Sequence, residues 1–259
     1  MTNEVPSPPL VSLDHAALFF DVDGTLVEIE KKPDAVSVSA ELRRLLRSLI
    51  DRSDGALALV SGRSIDQLDA LFQPLAFSAS GLHGLEHRML PSEITRAAVD
   101  PTVMSAAKLS LDQFAKGRKG VLVEDKGLTL ALHYRMAPEH HEAAADWVRN
   151  LVDDSQSNFV LLEGKMVFEL KPPGFDKGRA IVDFMQEPPF RGRCPIFAGD
   201  DVTDEAGFDA VNAMSGMSIK IGDDERQTTA AYGLETVQAT LAWLSDLIER
   251  GHADKGEGA

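Results

Sequence analysis

Short apolar runs alternate with amphipathic helical patterns at both ends of this chain. Residues 16–20, 56–60 and 77–80 are brief apolar or small-residue runs of the kind found in strands buried on both faces. Helical patterns separate them, and the second pattern begins with a capping box between Ser64 and Gln67. This strand–helix–strand order predicts a parallel sheet with right-handed crossovers.

The same alternation returns near the carboxyl end. Helical patterns that begin near residues 176 and 203 flank an apolar run at 195–198. A further run at 217–221 precedes a last amphipathic helix. These elements predict additional parallel strands and helices of the same core.

The middle of the chain has a different pattern, in which helix-like stretches alternate with strand-like runs. Gly127 and Gly164 fall where tight turns would join these runs into two hairpins. The sequence therefore predicts an α+β domain inserted after the third core strand. The predicted boundaries are 1–11 for a flexible lead, 12–84 and 172–250 for the core domain, 85–171 for the inserted domain and 251–259 for a flexible tail.

Net charge and cysteine content restrict the partners and the cellular compartment that we expect for this chain. The 259-residue chain has a formal net charge of -15, which disfavours nucleic acid and anionic membranes as partners. No apolar run approaches the ~20 residues that span a bilayer. A single cysteine excludes an internal disulfide and a multi-cysteine metal site, so we expect a cytoplasmic protein. A phosphate substrate would need positive charge supplied locally by a metal ion or a few basic side chains.

The strongest candidate for chemistry is the segment from Asp21 to Thr25, Asp-Val-Asp-Gly-Thr, directly after the first predicted strand. Ligands of doubly wound sheets bind beyond the carboxyl ends of the strands, so both carboxylates would face the binding crevice. Asp21 can accept a phosphoryl group, and Asp23 can act as general acid and base. Taken alone, the segment also fits a turn cap or the start of a calcium loop.

A second acidic segment, Gly-Asp-Asp-Val-Thr-Asp-Glu at 199–205, follows another predicted strand. Carboxylates crowded at one strand end repel each other unless a cation lies among them, and Mg²⁺ prefers oxygen ligands. Asp200 is the first choice of ligand, with Asp21 and the backbone carbonyl of Asp23. Asp204 suits a supporting position around the metal. The alternative is an ordinary helix N-terminus, where acidic residues complement the helix dipole.

Two weaker motifs lie near other strand and helix ends. Ser61-Gly62-Arg63 would place a hydroxyl and backbone N–H groups at a helix N-terminus, an arrangement suited to an anion. Lys177, at the start of a later helix, would neutralise a phosphate and Asp21. The tripeptide alone is explained equally well by an ordinary strand-to-helix turn, and a lone lysine is far more often a solvated surface charge. Their order at successive strand ends is the informative feature.

This combination resembles the haloacid dehalogenase (HAD) superfamily of phosphotransferases. The resemblance implies an α/β fold with a HAD-like three-layer α/β/α core and a cap domain that closes over the site. It also implies Mg²⁺ as cofactor and hydrolysis in two steps through an aspartyl-phosphate. The residues it assigns are Asp21, Asp23 and Lys177 to catalysis, Thr25, Ser61, Gly62 and Arg63 to substrate, and Asp21, Asp23, Asp200 and Asp204 to the metal.

Motifs at the core-to-cap junction and in the inserted domain narrow the resemblance to the trehalose-6-phosphate phosphatase family. They are Gly81-Leu82-His83-Gly84, Val123-Glu124-Asp125-Lys126-Gly127, His133-Tyr134-Arg135 and Phe168-Glu169-Leu170-Lys171-Pro172. The residues that the similarity assigns to sugar hydroxyls are Glu124, Lys126, Arg135 and Glu169. Carboxylates and a guanidinium suit hydroxyls because their hydrogen bonds are charge-assisted. As isolated residues, the strand charges would equally suit a solvent-facing surface, and His83 and Gly84 would suit either a pocket wall or a hinge.

The resemblance implies a Mg²⁺-dependent phosphatase that converts trehalose 6-phosphate to trehalose and inorganic phosphate, the last step of trehalose biosynthesis. Functional coupling to a trehalose-phosphate synthase would follow. A phosphatase for another sugar phosphate, such as sucrose phosphate, is the main alternative. A phosphomutase is disfavoured because the segment 27–38 is too short to hold a small cap. A catalytically silent regulatory domain is disfavoured because the charged residues of all the core motifs are present.

Overall fold

The computed structural model describes residues 5–30, 36–154, 158–164, 166–223 and 226–253. The chain forms two compact units: Met1–Thr95 with Asp176–Ala259, called the core unit, and Arg96–Phe175, called the inserted unit. In chain order the strands and helices are β1 (Ala16–Phe20), α1 (Ala40–Arg52), β2 (Leu57–Val60), α2 (Ile65–Phe72), β3 (Ser78–Gly81), β4 (Glu86–Arg88), β5 (Thr95–Arg96), α3 (Pro101–Ala115), β6 (Leu122–Asp125), β7 (Leu130–His133), α4 (His141–Asp154), β8 (Val160–Gly164), β9 (Val167–Lys171), α5 (Lys177–Met185), β10 (Cys194–Gly199), α6 (Glu205–Ala213), β11 (Met217–Ile221), β12 (Tyr232–Leu234) and α7 (Val237–Ala253).

The core sheet has eight strands in the order β12-β11-β10-β1-β2-β3-β4-β5. The strands from β12 to β3 pair in parallel, and β4 pairs with β3 in the antiparallel sense. All residues of β1 and β2 are buried, which explains their continuous apolar sequences. β11 is also buried throughout, although Ser218 and Lys220 interrupt its apolar sequence. The central position of β1 brings the segment that follows it to the middle of the sheet's carboxyl edge.

Helices cover both faces of this sheet. Leu18 and Phe20 of β1 belong to a cluster with α1, α2 and α7, whereas Ala17 and Phe19 belong to a cluster with α5 and α6. Successive strand residues point to opposite faces, so one strand contributes to both clusters. The predicted three-layer α/β/α core is therefore confirmed, as is the capping box of Ser64 at the start of α2.

The insertion follows β5 rather than the third core strand. The sequence pattern predicts that residues 85–95 belong to the inserted domain, but Glu86–Arg88 extends the core sheet by pairing with β3. At the other boundary, residues 172–175 belong to the inserted unit. The core sheet is consequently mixed and not purely parallel. The chain reverses direction after β3, and the short strand β4 pairs with β3 in the antiparallel sense.

Residues 5–11 differ from the predicted flexible lead. The backbone carbonyl of Pro6 accepts a hydrogen bond from the N–H of Gly233 at 3.0 Å, and Leu10 and Val11 pack against the core. The prediction rested on proline content, which does not exclude an ordered segment. An extended segment that contains proline can still accept hydrogen bonds through its carbonyls and pack apolar side chains against the core. At the other end, α7 continues to Ala253, so only residues 254–259 of the predicted tail remain, and they lie outside the described residues.

The inserted unit is an antiparallel sheet in the order β6-β7-β9-β8, packed on α3 and α4. Both predicted hairpins are present, as β6–β7 and β8–β9. Leu130 and Leu132 of β7 alternate with less apolar neighbours and join Phe168 and Leu170 of β9 in the cluster beneath the helices. Within the described ranges, no helix is both long enough and apolar enough to cross a membrane.

Candidate active site

The turn after β1 is fixed by backbone hydrogen bonds and a glycine. The N–H of Asp21 donates to the carbonyl of Ala198 in β10 at 2.9 Å, and the N–H of Gly24 donates to the carbonyl of Val27 at 2.7 Å. Gly24 has a φ of 85°, and a Cβ there would overlap the carboxylate of Asp200. Glycine is therefore required both for the backbone conformation and for the close approach of the second acidic segment.

The second acidic segment folds around Asp204. One oxygen of its carboxylate, Oδ2, accepts hydrogen bonds from the N–H groups of Asp200 at 3.0 Å and Asp201 at 2.9 Å. The position of Gly199 lies so close to this carboxylate that a Cβ would overlap it. These contacts attach the loop after β10, which carries Asp200, to the carboxylate of Asp204.

Lys177 joins the two acidic segments. Its Nζ donates to Oδ1 of Asp21 at 2.8 Å and to Oδ1 of Asp204 at 2.6 Å, and all three side chains are buried. Gly178 allows this placement, because a Cβ there would overlap the backbone carbonyl of Ala206 where α5 crosses α6. A lysine that the sequence alone left as a possible surface charge is thus part of a buried ionic network.

One carboxylate oxygen from each of Asp21, Asp200 and Asp204 lies within 4.8 Å of the others. Burial raises the pKa of Asp21 well above its ordinary value; the ammonium of Lys177 opposes this, and the neighbouring carboxylates add to it. Burial lowers the pKa of the Lys177 ammonium, but the carboxylates of Asp204 and Asp21 raise it by more, so its pKa lies above the usual value. Lys177 therefore remains charged.

This cluster is chemically suited to a divalent cation. Lys177 pairs with two of the three buried carboxylates, and a cation among the oxygens would offset the repulsion between the three. Both oxygens of Asp204 already accept hydrogen bonds from Lys177 or from backbone N–H groups. Asp21 and Asp200 are consequently the better candidates for direct ligands, and the side chain of Asp23 is not part of the cluster.

Asp23 instead pairs with Arg63. The guanidinium Nε donates to Oδ2 of Asp23 at 2.6 Å, and Nη2 donates to Oδ1 at 2.7 Å. Ser61 is buried, and its Oγ accepts a hydrogen bond from the N–H of Arg63 at 3.2 Å. The Ser61-Gly62-Arg63 segment is therefore placed beside the turn after β1, through a contact that spans 40 residues of sequence.

The segment after β3 packs against the Ser61 loop. The N–H of His83 donates to the carbonyl of Ser61 at 3.1 Å, and a Cβ on Gly62 would lie 2.6 Å from His83 Nε2. His83 and Gly84 both have positive φ values, 54° and 100°, and Gly84 lies against the backbone carbonyl of Asp176. This strained turn thus connects the Ser61 loop to the N-cap of α5, which precedes Lys177.

Thr25 lies in the buried interior of the core unit. None of its surface is exposed, and its Oγ1 has no hydrogen-bond partner within the described part of the chain. Its backbone N–H donates to the carbonyl of Val22 at 3.3 Å as part of the turn. The geometry assigns Thr25 a part in the turn, and direct contact with a substrate stays a prediction.

In the inserted unit, charged side chains share one face of the sheet. Glu124 and Glu169 stand on either side of Ala131 in register, on the face opposite the helices. Lys126 Nζ donates to Glu169 Oε2 at 3.1 Å, and its side chain is only 12% exposed. The interpretation of these residues as solvent-facing charges therefore does not hold for Lys126 and Glu169. Arg135, in the loop after β7, is half-buried.

Three further residues at these sites were missed by the sequence analysis. Thr129 Oγ1 donates to Glu169 Oε1 at 2.7 Å, and His133 Nε2 lies 2.8 Å from Glu124 Oε2. Arg226 Nη2 donates to the backbone carbonyl of Asp200 at 3.1 Å. His133 begins a motif that had been noted, but no local pattern marks Thr129 or Arg226.

Removal of the Lys177 charge tests the buried network. In Lys177→Met, Asp21 and Asp204 would lose their shared cation, and breaking a buried ion pair costs ~3–5 kcal/mol of unfolding free energy. We expect a loss of that size in denaturant titrations with Mg²⁺ present. The matched control is Arg179→Met on the same helix, whose side chain is 66% exposed and pairs with Asp183; it should cost less than ~1 kcal/mol. Equal, small losses for both variants would show that Lys177 does not stabilise the cluster.

Comparison with known proteins places the chain in a family. The chain is 41% identical over 244 residues to the trehalose-6-phosphate phosphatase of Escherichia coli, covering 94% of this chain and 90% of that one. It is 39% identical over 235 residues to a probable trehalose-phosphate phosphatase of Sinorhizobium fredii, covering 91% and 88%. The family model described as trehalose-phosphatase matches residues 19–238.

Solved structures share the fold at lower sequence identity. The C-terminal domain of a Candida albicans trehalose-6-phosphate phosphatase matches with a TM-score of 0.84 at 21% identity, covering 95% of this chain and 98% of that one. A HAD-superfamily phosphatase from Bacteroides thetaiotaomicron matches with a TM-score of 0.61 at 16% identity, covering 93% and 97%. The chain therefore has a HAD-like fold, as predicted. By its sequence, the chain belongs to the trehalose-phosphatase family.

Proposed function

We propose that this protein hydrolyses trehalose 6-phosphate to trehalose and inorganic phosphate. The observation that carries the proposal is the buried cluster of Asp21, Asp200 and Asp204 with Lys177, in a chain 41% identical to an enzyme of that name. We further propose that it works in the cytoplasm and uses the product of a trehalose-phosphate synthase. A panel of sugar phosphates, including trehalose 6-phosphate and sucrose phosphate, tests the substrate. Faster phosphate release from sucrose phosphate would favour the alternative.

In the first step, a carboxylate oxygen of Asp21 forms a bond to phosphorus. The bond between phosphorus and the sugar oxygen breaks, and its electron pair stays on the sugar oxygen. Asp23, acting as a carboxylic acid, donates its proton to that oxygen, so trehalose leaves as an alcohol. Asp21 is left as an acyl-phosphate and Asp23 as a carboxylate.

In the second step, the Asp23 carboxylate takes a proton from water while the water oxygen bonds to phosphorus. The bond between phosphorus and Asp21 breaks, and its electron pair returns to the Asp21 carboxylate. Both aspartates regain their starting forms, and inorganic phosphate is released. One residue thus serves as acid and then as base, as two-step hydrolysis requires.

The other charged groups of the core unit position these reactants. Lys177 holds Asp21 by a hydrogen bond of 2.8 Å, and Asp204 orients the loop that carries Asp200. Asp21, Asp200 and the backbone carbonyl of Asp23 would hold Mg²⁺, which offsets the repulsion between phosphate and the carboxylates. Thr25, Ser61 and Gly62 are proposed to support the phosphate site through the two turns they belong to.

Selectivity for the sugar is proposed to lie in the inserted unit. Glu124, Lys126, Arg135 and Glu169 are the residues proposed to hold the sugar hydroxyls. In the core unit, His83 and Gly84 are proposed to bind substrate beside the Ser61-Gly62-Arg63 segment. Pairing within one face of the sheet supports the sugar-binding role, because the hydrogen bonds of Glu169 with Lys126 and Thr129 fix the positions of these side chains. Binding energy from groups far from phosphorus can position the reacting atoms.

Truncation of the sugar-binding side chains separates recognition from chemistry. Glu124→Ala or Arg135→Ala should lower kcat/KM for trehalose 6-phosphate at least about tenfold, because a charge-assisted hydrogen bond is worth ~1.5–3 kcal/mol. Hydrolysis of p-nitrophenyl phosphate, which has no sugar, should change little. Glu163→Ala, in an exposed pair with Arg149 in the same unit, is the matched control and should affect neither substrate. Equal losses on both substrates would contradict the assignment.

A further inference from the structure

The guanidinium of Arg63 is paired with the carboxylate of Asp23. Two parallel hydrogen bonds of 2.6 and 2.7 Å join it to the oxygens of Asp23, and only 13% of the arginine side chain is exposed. The backbone of Arg63 is also held, because its N–H donates to Ser61 Oγ and its carbonyl accepts from the N–H of Leu82 at 2.9 Å. The guanidinium is thus presented to Asp23 from a fixed position.

The side chain of Asp23 is less enclosed by the protein than the carboxylates of the buried cluster. Its side chain is 33% exposed, more than any carboxylate of the buried cluster, and it lies beside Gly24 in a turn with a positive φ. A general acid must be held within hydrogen-bond reach of the oxygen that it protonates. A misplacement of ~1 Å can cost as much as 10²-fold in rate. A bidentate guanidinium restricts both the rotation and the position of the Asp23 carboxylate, and when Asp23 carries its proton as the acid, its unprotonated oxygen still accepts from Arg63.

Two basic side chains of the core unit pair with different aspartates of the Asp21–Thr25 segment. Lys177 pairs with Asp21 and Asp204, whereas Arg63 pairs with Asp23. The sequence resemblance had assigned Arg63 to the substrate. We propose instead that Arg63 is a positioning residue, which acts on the reaction through Asp23 and not through the phosphate. This inference rests on the proposed acid–base role of Asp23.

The leaving group distinguishes the two roles of Arg63. A sugar oxygen is a poor leaving group and needs the proton of Asp23, whereas p-nitrophenolate leaves readily without one. Loss of a phosphate-binding cation would slow transfer from both substrates alike, because both carry the same phosphoryl group. Loss of a residue that positions the acid would slow transfer from the sugar phosphate selectively. The ratio kcat/KM reports the steps up to alcohol release, so later hydrolysis does not obscure the comparison.

The experiment compares Arg63→Gln, Arg63→Lys, Asp23→Asn and the double variant Asp23→Asn/Arg63→Gln on trehalose 6-phosphate and p-nitrophenyl phosphate, at saturating Mg²⁺. We expect Arg63→Gln to lower kcat/KM for the sugar phosphate by ~10–100-fold, and for the aryl phosphate by less than about threefold. Arg63→Lys should fall between, because an ammonium cannot pair bidentately. In the Asp23→Asn background, Arg63→Gln should cost less than about twofold more.

A second bidentate pair of the core unit supplies the control. Arg88 Nη1 and Nη2 each donate to Asp69 at 2.7 Å, and the arginine side chain is 13% exposed, like that of Arg63. Arg88→Gln should leave both activities within about twofold of the unsubstituted protein, because the hydrogen bonds of Arg88 go to Asp69 and to the carbonyl of Phe77, outside the Asp21–Thr25 segment. Thermal unfolding of each variant establishes that it is folded under the assay conditions.

Three outcomes of this experiment would contradict the inference, and they distinguish its failure from that of the proposed function. If Arg63→Gln lowers both activities equally and costs as much again in Asp23→Asn, Arg63 acts on the phosphate and the inference is wrong, while the proposed function stands. If Arg63→Gln changes neither activity, the inference is also wrong. If Asp23→Asn itself lowers both activities equally, the proposed acid–base role fails first, and the inference falls with it.

Discussion

Asp21→Asn is expected to abolish turnover while the fold stays intact. The amide cannot form a hydrolysable acyl-phosphate, so the first step loses its nucleophile and kcat should fall about 10⁴-fold or more. The substitution is close to isosteric, and the amide oxygen can still accept the hydrogen bond that Lys177 Nζ donates to this position. Circular dichroism and thermal unfolding should therefore remain similar to those of the unsubstituted protein.

The chemical intermediate gives this prediction a second readout. Acid quenching during turnover of a phosphate-labelled substrate should trap label on the unsubstituted protein and none on Asp21→Asn. Asp246→Asn, an exposed aspartate on α7, is the control and should retain both the label and full activity. Phosphate release by Asp21→Asn within about tenfold of the unsubstituted rate would remove Asp21 from the nucleophile's role.

Excess chelator is expected to abolish activity, and added Mg²⁺ to restore it. Three buried carboxylates within 4.8 Å, together with a phosphate dianion, require more positive charge than Lys177 provides. Ca²⁺ should restore activity poorly, because its larger and looser coordination would displace the nucleophile. Full activity in excess chelator would contradict the proposed cofactor.

Neighbouring aspartates in one loop allow a matched test of the metal ligands. Asp200→Asn should weaken Mg²⁺ binding at least about tenfold, as measured by titration calorimetry without substrate. Asp201→Asn is the control, because its carboxylate accepts from the N–H of Val202 and pairs with Arg226 outside the cluster. Similar Mg²⁺ affinities in the two variants would show that Asp200 is not a ligand.

Features set by local sequence were predictable. The apolar runs predicted the buried core strands, and Ser64 with Gln67 predicted the start of α2, because strand burial and helix capping depend on residues close in sequence. The two acidic segments could be expected near each other, since the carboxyl ends of neighbouring parallel strands meet at one edge. Their contact through Gly24 and Asp200 agrees with that reasoning.

Partners distant in sequence were not predictable. Arg63 and Asp23 lie 40 residues apart, and no local pattern distinguishes a guanidinium that binds a carboxylate from one that binds phosphate. The pairing of Arg226 with Asp200 and of Thr129 with Glu169 likewise depends on tertiary packing. Strand β4 is only Glu86–Arg88, whose polar sequence lacks the apolar alternation that identifies strands, so residues after Gly84 were given to the wrong side of the boundary.

The discontinuity of the core unit has a consequence for biosynthesis. On the ribosome, β1 and β2 emerge early, but β10, the other neighbour of β1, follows only after the whole of Arg96–Phe175 has been made. The inserted unit is continuous, so it can fold while the nascent core still lacks three of the eight strands of its sheet. During that interval the edge of β1 and the side chain of Asp21 have neither β10 nor Lys177 beside them. The nascent chain therefore has an exposed edge on β1 while Arg96–Phe175 is being translated. A chaperone would be most useful during that interval.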